Sequence, residues 1–186
     1  MRDSSLGLTV PPPTKMVEEK EIRFKVNTSS EELCKALEKT GLSNPRVLYI
    51  RDVYYDDENY SLLKNLEGYR MREVVVKEGK KIYFVYKKKR DGKVYEQEVE
   101  ASQFKEKILN FKNEIKIRKK RVIYTINDVE VVIDDVPGLG VFLEIECQGS
   151  DPQKFFDTIK NKLNGVERIY QGITELWFEK ELTGHN

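Results

Sequence analysis

The sequence predicts an α+β protein in which about eight β-strands, joined mostly as antiparallel hairpins, close into a barrel with helices packed on its outside. Three observations support this prediction. Short runs of β-branched and aromatic residues recur along most of the chain, and turn pairs such as Asp91-Gly92 and Asn127-Asp128 separate several of them. Amphipathic segments typical of helices interrupt these runs. Charged and apolar residues alternate along most of the strands, so each has one charged face.

The predicted strands are short and evenly spaced, as in a barrel. They span residues 17–26, 46–57, 68–76, 80–90, 93–100, 114–126, 129–136 and 141–147. The chain turns at Glu78-Gly79 between the third and fourth strands, and "PGLG" at 137–140 forms a tight hairpin turn before the eighth. Short links of this kind favour antiparallel pairing.

Helices are predicted between and after the strands. Ser29 and Glu32 have the spacing of a capping box at the start of the first helix. Asp151 as N-cap, followed by Pro152 at the first helical position, begins a later helix. The predicted helices span residues 27–41, 58–66, 101–111, 151–165 and 172–182.

The length of 186 residues suits a single domain. Residues 1–16 contain three consecutive prolines and no apolar period, so we predict a flexible N-terminal segment there. The single domain then spans residues 17–180, and residues 181–186 form a C-terminal tail.

Composition argues against several classes of protein. The 33 basic and 32 acidic residues give a net charge of +1, whereas a binder of long nucleic acid has a basic excess. The only histidine, His185, is next to last, which argues against a zinc site or a Ser-His pair. Cys34 and Cys147 match no metal-ligand spacing and suit reduced thiols. No apolar run is long enough for a membrane span, so we predict a cytoplasmic protein without a membrane partner.

The charged strand faces admit two interpretations. On the first strand, Glu19, Glu21, Arg23 and Lys25 share one face. The same spacing groups like charges on other strands: Arg70 with Arg72, Lys87 with Lys89, Glu96 with Glu98 and Glu100, Lys119 with Arg121, and Glu144 with Glu146. Such faces are either the wet side of an open sheet or the inside of a barrel. Acidic and basic groups lie on separate strands, whereas a solubilising surface mixes the signs, so we favour the interior.

A charged interior of this composition predicts a particular chemistry. Carboxylate oxygens without His or Cys select hard divalent cations such as Mg²⁺ or Mn²⁺. Arg and Lys side chains match phosphate oxygens. A polyanion held by cations, with metal ions at one end, is the equipment for phosphoryl or nucleotidyl transfer.

Seven segments occur in the order typical of one known family. They are "EKEIRF", "DVYYD", "YRMRE", "VYKKK", "YEQEVE", "KKRVIY" and "VVIDDVPGLGVFLEIE". Over about residues 17–178, the chain thus resembles the CYTH superfamily, the triphosphate tunnel metalloenzymes. The stretch "DDVPGLGVFLEIE" is most similar to the branch named for class IV adenylate cyclases.

The resemblance implies an eight-stranded antiparallel β-tunnel that binds a triphosphate and metal ions. It makes Glu19, Glu21 and Arg23, which match the ExExK signature, the candidate catalytic residues. The acidic positions associated with metal binding are matched by Glu19, Glu21, Asp134, Glu144 and Glu146, with Glu96 or Glu98 joining them. The triphosphate-binding positions are matched by Arg23, Arg70, Arg72, Lys87 and Arg121, with Lys25, Lys89 and Lys119 as supporting candidates.

The chain departs from the family pattern at two places. Arg23 stands where the signature has Lys, and a planar guanidinium does not replace an ammonium cleanly. Near the C-terminus, Ile173 or Thr174 stands where the family often has Tyr. Both departures bear on which reaction the site performs.

These features lead to three functional hypotheses. The first is a Mg²⁺- or Mn²⁺-dependent enzyme similar to class IV adenylate cyclases, which converts ATP to cyclic AMP and pyrophosphate. The second is a triphosphatase that hydrolyses thiamine triphosphate, a nucleoside triphosphate or inorganic triphosphate with the same residues. The third is a non-catalytic binder of polyphosphate or nucleotide. A homodimer is compatible with all three.

Overall fold

The computed structural model describes residues 17–65, 67–76, 79–90, 93–101 and 111–183. The predicted N-terminal segment, the turn at Asp91-Gly92, Glu78 and nearly all of the helix predicted over 101–111 lie outside these residues. The division into one domain over 17–180 and a tail stays a prediction.

Nine strands and four helices make up the described part of the chain. The strands are β1 (Val17–Val26), β2 (Arg46–Asp56), β3 (Glu67–Val76), β4 (Gly79–Arg90), β5 (Lys93–Glu100), β6 (Asn113–Ile126), β7 (Val129–Val136), β8 (Gly140–Cys147) and β9 (Val166–Ile169). The helices are α1 (Ser30–Glu38), α2 (Ser61–Lys64), α3 (Pro152–Ile159) and α4 (Ile173–Thr183). All eight predicted strands are present, and the ninth, β9, was missed because it has four residues with only two apolar positions.

All strand pairs are antiparallel, and the order across the sheet is β5-β4-β3-β2-β6-β7-β8-β1-β9. The first strand in this order also meets β1, since Val17, Glu18 and Glu19 pair with Glu96, Tyr95 and Val94. Each of β1 to β8 therefore has at least two strand neighbours. The sheet curls into the predicted tunnel-like barrel, with charged inner faces described below.

Local sequence signals explain how the elements begin and end. The predicted capping box is present at α1, where the Glu32 amide donates to Ser29 Oγ at 3.2 Å and the Ser29 amide donates to Glu32 Oε2 at 3.3 Å. The "PGLG" turn between β7 and β8 has Gly138 at φ 83° and Gly140 at φ 110°, a region that favours glycine. Both turn and cap confirm the predictions from sequence.

The outer face of the barrel forms the main apolar core with α1 and α3. Leu33 and Leu37 of α1 are buried in this core. On α3, Phe156 stacks on Phe24 of β1 with ring centroids 4.1 Å apart. These two helices lie where the sequence predicted them, on the outside of the strands.

The last helix, α4, packs on apolar residues of the inner strand faces. By alternation, Ile117 shares the face of Lys119, and Phe142 shares the face of Glu144. Both are buried in a second core, against which Ile173, Leu176 and Trp177 of α4 pack. The chain continues past the last strand and folds back, so that α4 covers one apolar part of the barrel interior.

Among the described residues, none of the helices combines the length and the apolar character that crossing a membrane requires.

The outer core gives a test of the fold. Leu37→Ala should lower the free energy of unfolding by about 2–5 kcal/mol, since Leu37 is fully buried and the substitution leaves a cavity. Urea unfolding followed by circular dichroism measures this change. Val75→Ala, which shortens an apolar side chain 42% exposed on β3, is the matched control and should change stability little. Equal effects of the two substitutions would contradict the packing of α1 on the barrel.

Candidate active site

The inner faces of the strands line a cavity of about 270 Å³. Its charged lining residues are Glu21, Arg23, Glu67, Arg70, Arg72, Lys87, Lys89, Glu96, Lys119, Arg121, Glu144, Glu146 and Glu175. Several of these side chains are deeply buried, such as Arg72, Lys119 and Glu144, which are 9%, 7% and 2% exposed. A wet sheet face would leave them in solvent. The charged faces are therefore the interior of the barrel, as predicted.

Three carboxylates on β1 and β8 converge within this cavity. Glu21, Glu144 and Glu146 each contribute one oxygen to a group whose members lie within 4.8 Å of one another. We call these three residues the carboxylate cluster. Strand register brings them together, because Glu21 is directly opposite Glu146 and the next inward residue, Arg23, is opposite Glu144. An all-oxygen donor set fits hard divalent cations such as Mg²⁺ or Mn²⁺.

Two arginines neutralise the most buried member of the cluster. Arg23 Nε donates to Glu144 Oε1 at 2.6 Å, and Arg121 Nη2 donates to Glu144 Oε2 at 3.3 Å. Burial alone would raise the pKa of Glu144, but Arg23 and Arg121 outweigh it and hold that pKa well below its usual range. Glu144 is therefore a carboxylate at neutral pH, the form that a metal ion requires.

Asp134 has a different position from the other acidic candidates. It is fully buried and accepts hydrogen bonds from Lys119 Nζ at 2.6 Å and from Arg121 Nε at 2.7 Å. Burial alone would raise the pKa of Asp134, but Lys119 and Arg121 outweigh burial and lower it. Burial and the neighbouring Arg121 lower the pKa of Lys119. Asp134 thus holds two cavity-lining cations in place and lies outside the carboxylate cluster.

A second group of charges lies across the cavity on β2 and β3. Asp52, 1% exposed, accepts from Arg72 Nε at 2.9 Å and Nη2 at 3.2 Å, and Arg70 Nε lies 4.0 Å from it. Despite burial, Arg70 and Arg72 lower the pKa of Asp52. Sequence reasoning did not select Asp52 as a site residue. Its signal was its place in the "DVYYD" segment, which carried the family resemblance.

Glu96 and Lys87 connect the two groups of charges. Glu96 Oε1 accepts from Arg70 Nη2 at 3.3 Å, and Glu96 Oε2 lies 3.5 Å from Lys87 Nζ. The same ammonium lies 4.0 Å from Glu21 Oε1 in the carboxylate cluster. Burial opposes ionisation of Glu96, but Arg70 and Lys87 lower its pKa. The ammonium of Lys87 therefore lies between Glu96 and the carboxylate cluster, close to both.

The remaining candidates lie nearer the solvent. Glu98 is 39% exposed, 3.8 Å from Arg72, and partial burial raises its pKa. Lys89 is exposed and lines the cavity, whereas Lys25 is exposed beside the turn at Gly140. The side chain of Glu19 lies outside the part of the chain that the structure describes, so its assignment to metal and catalysis stays a prediction.

The C-terminal segment adds residues that sequence reasoning had not selected. Tyr170, Gly172, Ile173, Thr174 and Glu175 all line the cavity. Arg23 Nη1 donates to the Gln171 carbonyl at 3.1 Å, so the signature strand binds this segment directly. Ile173 and Thr174, at the positions where the family often has Tyr, thus line the cavity. Tyr170, the nearest tyrosine along the chain, is 80% exposed.

The model of the CYTH domain matches residues 18–172 of this chain. The chain belongs to the CYTH domain family. Among curated proteins, a relative from Methanocaldococcus jannaschii, named provisionally as an adenylate cyclase, is 32% identical over 138 residues, which are 72% of this chain and 78% of that protein.

Solved structures agree with the CYTH fold. A protein from Pyrococcus horikoshii is 25% identical, with a TM-score of 0.69 over 87% of this chain and 99% of that one. A Hippeastrum protein, named provisionally as an adenylyl cyclase and described as having a dominant triphosphatase activity, is 16% identical. It has a TM-score of 0.60 over 90% of this chain and 96% of that one, a likeness that concerns the fold alone.

The buried pair of Asp52 and Arg72 gives a second test. Asp52→Asn should lower the free energy of unfolding at pH 7 by about 3–5 kcal/mol, because it leaves the Arg72 charge buried without its partner. The pKa of Asp52 is lowered in the folded state, so its stabilisation is present above the unfolded pKa of about 4 and is lost as the pH falls below it. Urea unfolding at pH 7, 5 and 3 should therefore show a shallower loss of stability in the variant.

The control for this test is Asp157→Asn. It removes an exposed carboxylate of α3 that forms a surface ion pair with Lys160. Its unfolding curves should follow those of the unmodified protein at each pH. Identical curves for Asp52→Asn and the unmodified protein would contradict the buried pair.

Proposed function

We propose that this CYTH protein is a divalent-metal-dependent enzyme that acts on a triphosphate-bearing substrate inside the tunnel, and that its reaction converts ATP to cyclic AMP and pyrophosphate. One observation carries the proposal. A single cavity combines the carboxylate cluster of Glu21, Glu144 and Glu146 with an array of Arg and Lys side chains. Metal and polyphosphate need these two kinds of group side by side.

The carboxylate cluster would hold the metal ion. Glu21, Glu144 and Glu146 supply oxygens only, which suits Mg²⁺ or Mn²⁺. A bound divalent cation polarises phosphoryl oxygens and offsets the charge that develops on them. The low pKa of Glu144 keeps that ligand ionised through the physiological range.

The basic side chains across the cavity would bind the phosphates. Arg70 is well suited, because its Nε is buried without a hydrogen-bond partner among the described side-chain atoms. An unused buried donor is costly, and a phosphate oxygen would satisfy it. In spite of burial, Tyr54 and Glu96 raise the pKa of Arg70, and Asp134 raises that of Arg121, so both stay charged. Arg72, Lys87 and Lys119 are already held by carboxylates, which fixes their direction before a substrate arrives.

The rest of the cavity lining supports a substrate with an organic end. Leu63, Ile173 and the exposed ring of Tyr170 give this part of the lining an apolar and aromatic character. Inorganic triphosphate has no group for such a surface, whereas a nucleotide has a base that stacks on aromatic rings. This lining favours a nucleotide over inorganic triphosphate.

The cyclase reaction needs one displacement at the α-phosphorus. The ribose 3′ oxygen forms a bond to the α-phosphorus, the bond to the bridging oxygen breaks, and pyrophosphate leaves with its electron pair. The proton of the hydroxyl passes to solvent water. The provisional name of the M. jannaschii relative, at 32% identity, supports this choice of reaction.

The alternative is hydrolysis of a triphosphate by water. The same cations and carboxylates would serve, and the nucleophile would meet the terminal phosphorus instead. The fold is compatible with this reaction, since the Hippeastrum protein of the same fold is described as a triphosphatase. A non-catalytic binder would use the cavity without turnover.

Product analysis separates these three functions. The protein is incubated with ATP, thiamine triphosphate or inorganic triphosphate, each with Mg²⁺ or Mn²⁺. We expect cyclic AMP and pyrophosphate from ATP. Glu21→Gln and Glu146→Gln should lower the rate by roughly 100-fold or more, because several kcal/mol of transition-state stabilisation come from the metal.

Glu114→Gln, an exposed substitution on β6, is the control for charge and should keep the full rate. Free phosphate without a cyclic product would replace the cyclase by a triphosphatase. Binding of the triphosphates without turnover would leave a binder.

A substitution at Tyr170 tests the organic end of the substrate. Tyr170→Ala should weaken ATP binding by about 1–3 kcal/mol, the usual contribution of base stacking, and leave the affinity for inorganic triphosphate unchanged. Calorimetric titration with each ligand in the presence of metal measures both. Tyr49→Ala, which removes an exposed ring from β2 outside the cavity lining, is the control. Parallel losses for the two ligands would contradict a stacking role.

A further inference from the structure

Arg23 is bound at the same time to the carboxylate cluster and to the segment before α4. Its Nε donates to Glu144 Oε1 at 2.6 Å, and its Nη2 donates to Glu21 Oε1 at 3.2 Å. Its third nitrogen, Nη1, donates to the carbonyl of Gln171 at 3.1 Å. Burial opposes the charge of Arg23, yet Glu144 and Glu21 raise its pKa above its usual range. The guanidinium is therefore a permanent cation at the edge of the cluster.

We propose that Arg23 is an internal counter-cation that competes with the divalent metal ion for Glu21 and Glu144, and that this competition links metal binding to the C-terminal segment. The inference rests on the proposed function, because it assumes that the carboxylate cluster binds the metal. It adds a positioning residue that sets the affinity of that site and connects the site to α4.

The competition follows from the oxygens involved. Two of the three carboxylates in the cluster, Glu21 and Glu144, already accept hydrogen bonds from Arg23. A magnesium ion needs carboxylate oxygens about 2.0–2.1 Å away, so it must displace the guanidinium from these oxygens or share them with it. It also enters next to a fixed positive charge, which repels it. Both effects weaken metal binding in the presence of Arg23.

Only an arginine can make this set of contacts. Its planar fork points three nitrogens in different directions, and each nitrogen of Arg23 has a separate partner. A lysine ammonium is a single point of charge at the end of a flexible chain. Lysine at this position would keep the charge without joining the cluster to Gln171 through a rigid group.

The link to α4 runs through two further hydrogen bonds. Gln171 receives Arg23 at its carbonyl, and the next amide, that of Gly172, donates to the Glu175 carboxylate in the first turn of α4. When a metal ion binds Glu21 and Glu144, Arg23 loses these two partners and keeps its hydrogen bond to the carbonyl of Gln171. The guanidinium then moves with respect to the cluster, and the start of α4 moves with it.

Metal titration without substrate tests the competition. The affinity for Mn²⁺ is measured from the electron paramagnetic resonance signal of the free ion, on the unmodified protein, Arg23→Gln and Arg23→Lys. We expect Arg23→Gln to bind Mn²⁺ at least about tenfold more tightly, and Arg23→Lys to show a smaller gain. Arg118→Gln removes an exposed positive charge from the outer face of β6 and should leave the affinity unchanged. A damaged fold would weaken binding, so a gain cannot arise from it.

Fluorescence tests the link to α4. Trp177, the single tryptophan of the chain, lies in α4 against the second core. Mg²⁺ should change its emission in the unmodified protein and leave it unchanged in Arg23→Gln at saturating metal. An equal emission change in both would overturn the link.

The outcomes separate this inference from the proposed function. Mn²⁺ affinities that are equal in Arg23→Gln and the unmodified protein would overturn the competition and leave the metal site in place. Mn²⁺ binding that is lost in Arg23→Gln would show that Arg23 supports the site, and would also overturn the competition. No Mn²⁺ binding to any variant would overturn the metal site, and with it both proposals.

Discussion

The barrel can exist only because the charges on its inner faces neutralise one another. Removing an isolated ion from water costs several kcal/mol, and the interior holds many ions. A continuous chain of contacts solves this problem on one wall, where Arg23 and Arg121 share Glu144, and Arg121 and Lys119 share Asp134. The position of each ion depends on its neighbours, so the geometry of the site and the stability of the fold have the same origin.

This dependence explains why the apolar core lies outside the strands. A barrel whose inner face is largely charged cannot be held together by internal packing. The outer face supplies the apolar surface instead, and α1 and α3 cover it through residues such as Leu37 and Phe156. Inside, α4 covers some of the apolar residues, among them Ile117 and Phe142. The main apolar core and the charged cavity thus lie on opposite faces of the same strands.

Alternation along strands was enough to predict most of the fold and of the candidate site. Eight of the nine strands were recognisable from their own residues, and the grouping of charges on one face follows from the same local alternation. Asp52 was missed because β2 shows no like charges at neighbouring positions of one face, and its importance comes from Arg72 on the neighbouring strand. The contact between Arg23 and Gln171 joins residues 148 positions apart. Such contacts depend on how the chain folds back, which periodicity does not report.

The pairing of β5 with β1 has a consequence for how molecules of this protein meet one another. Unpaired strand edges are templates on which further chains add and form aggregates. In the part of the chain that the structure describes, β9 is the strand with a single neighbour. It has only four residues, and two of them, Glu167 and Arg168, are exposed and charged. In the described residues, the sheet thus offers other molecules little free edge on which a further strand could add.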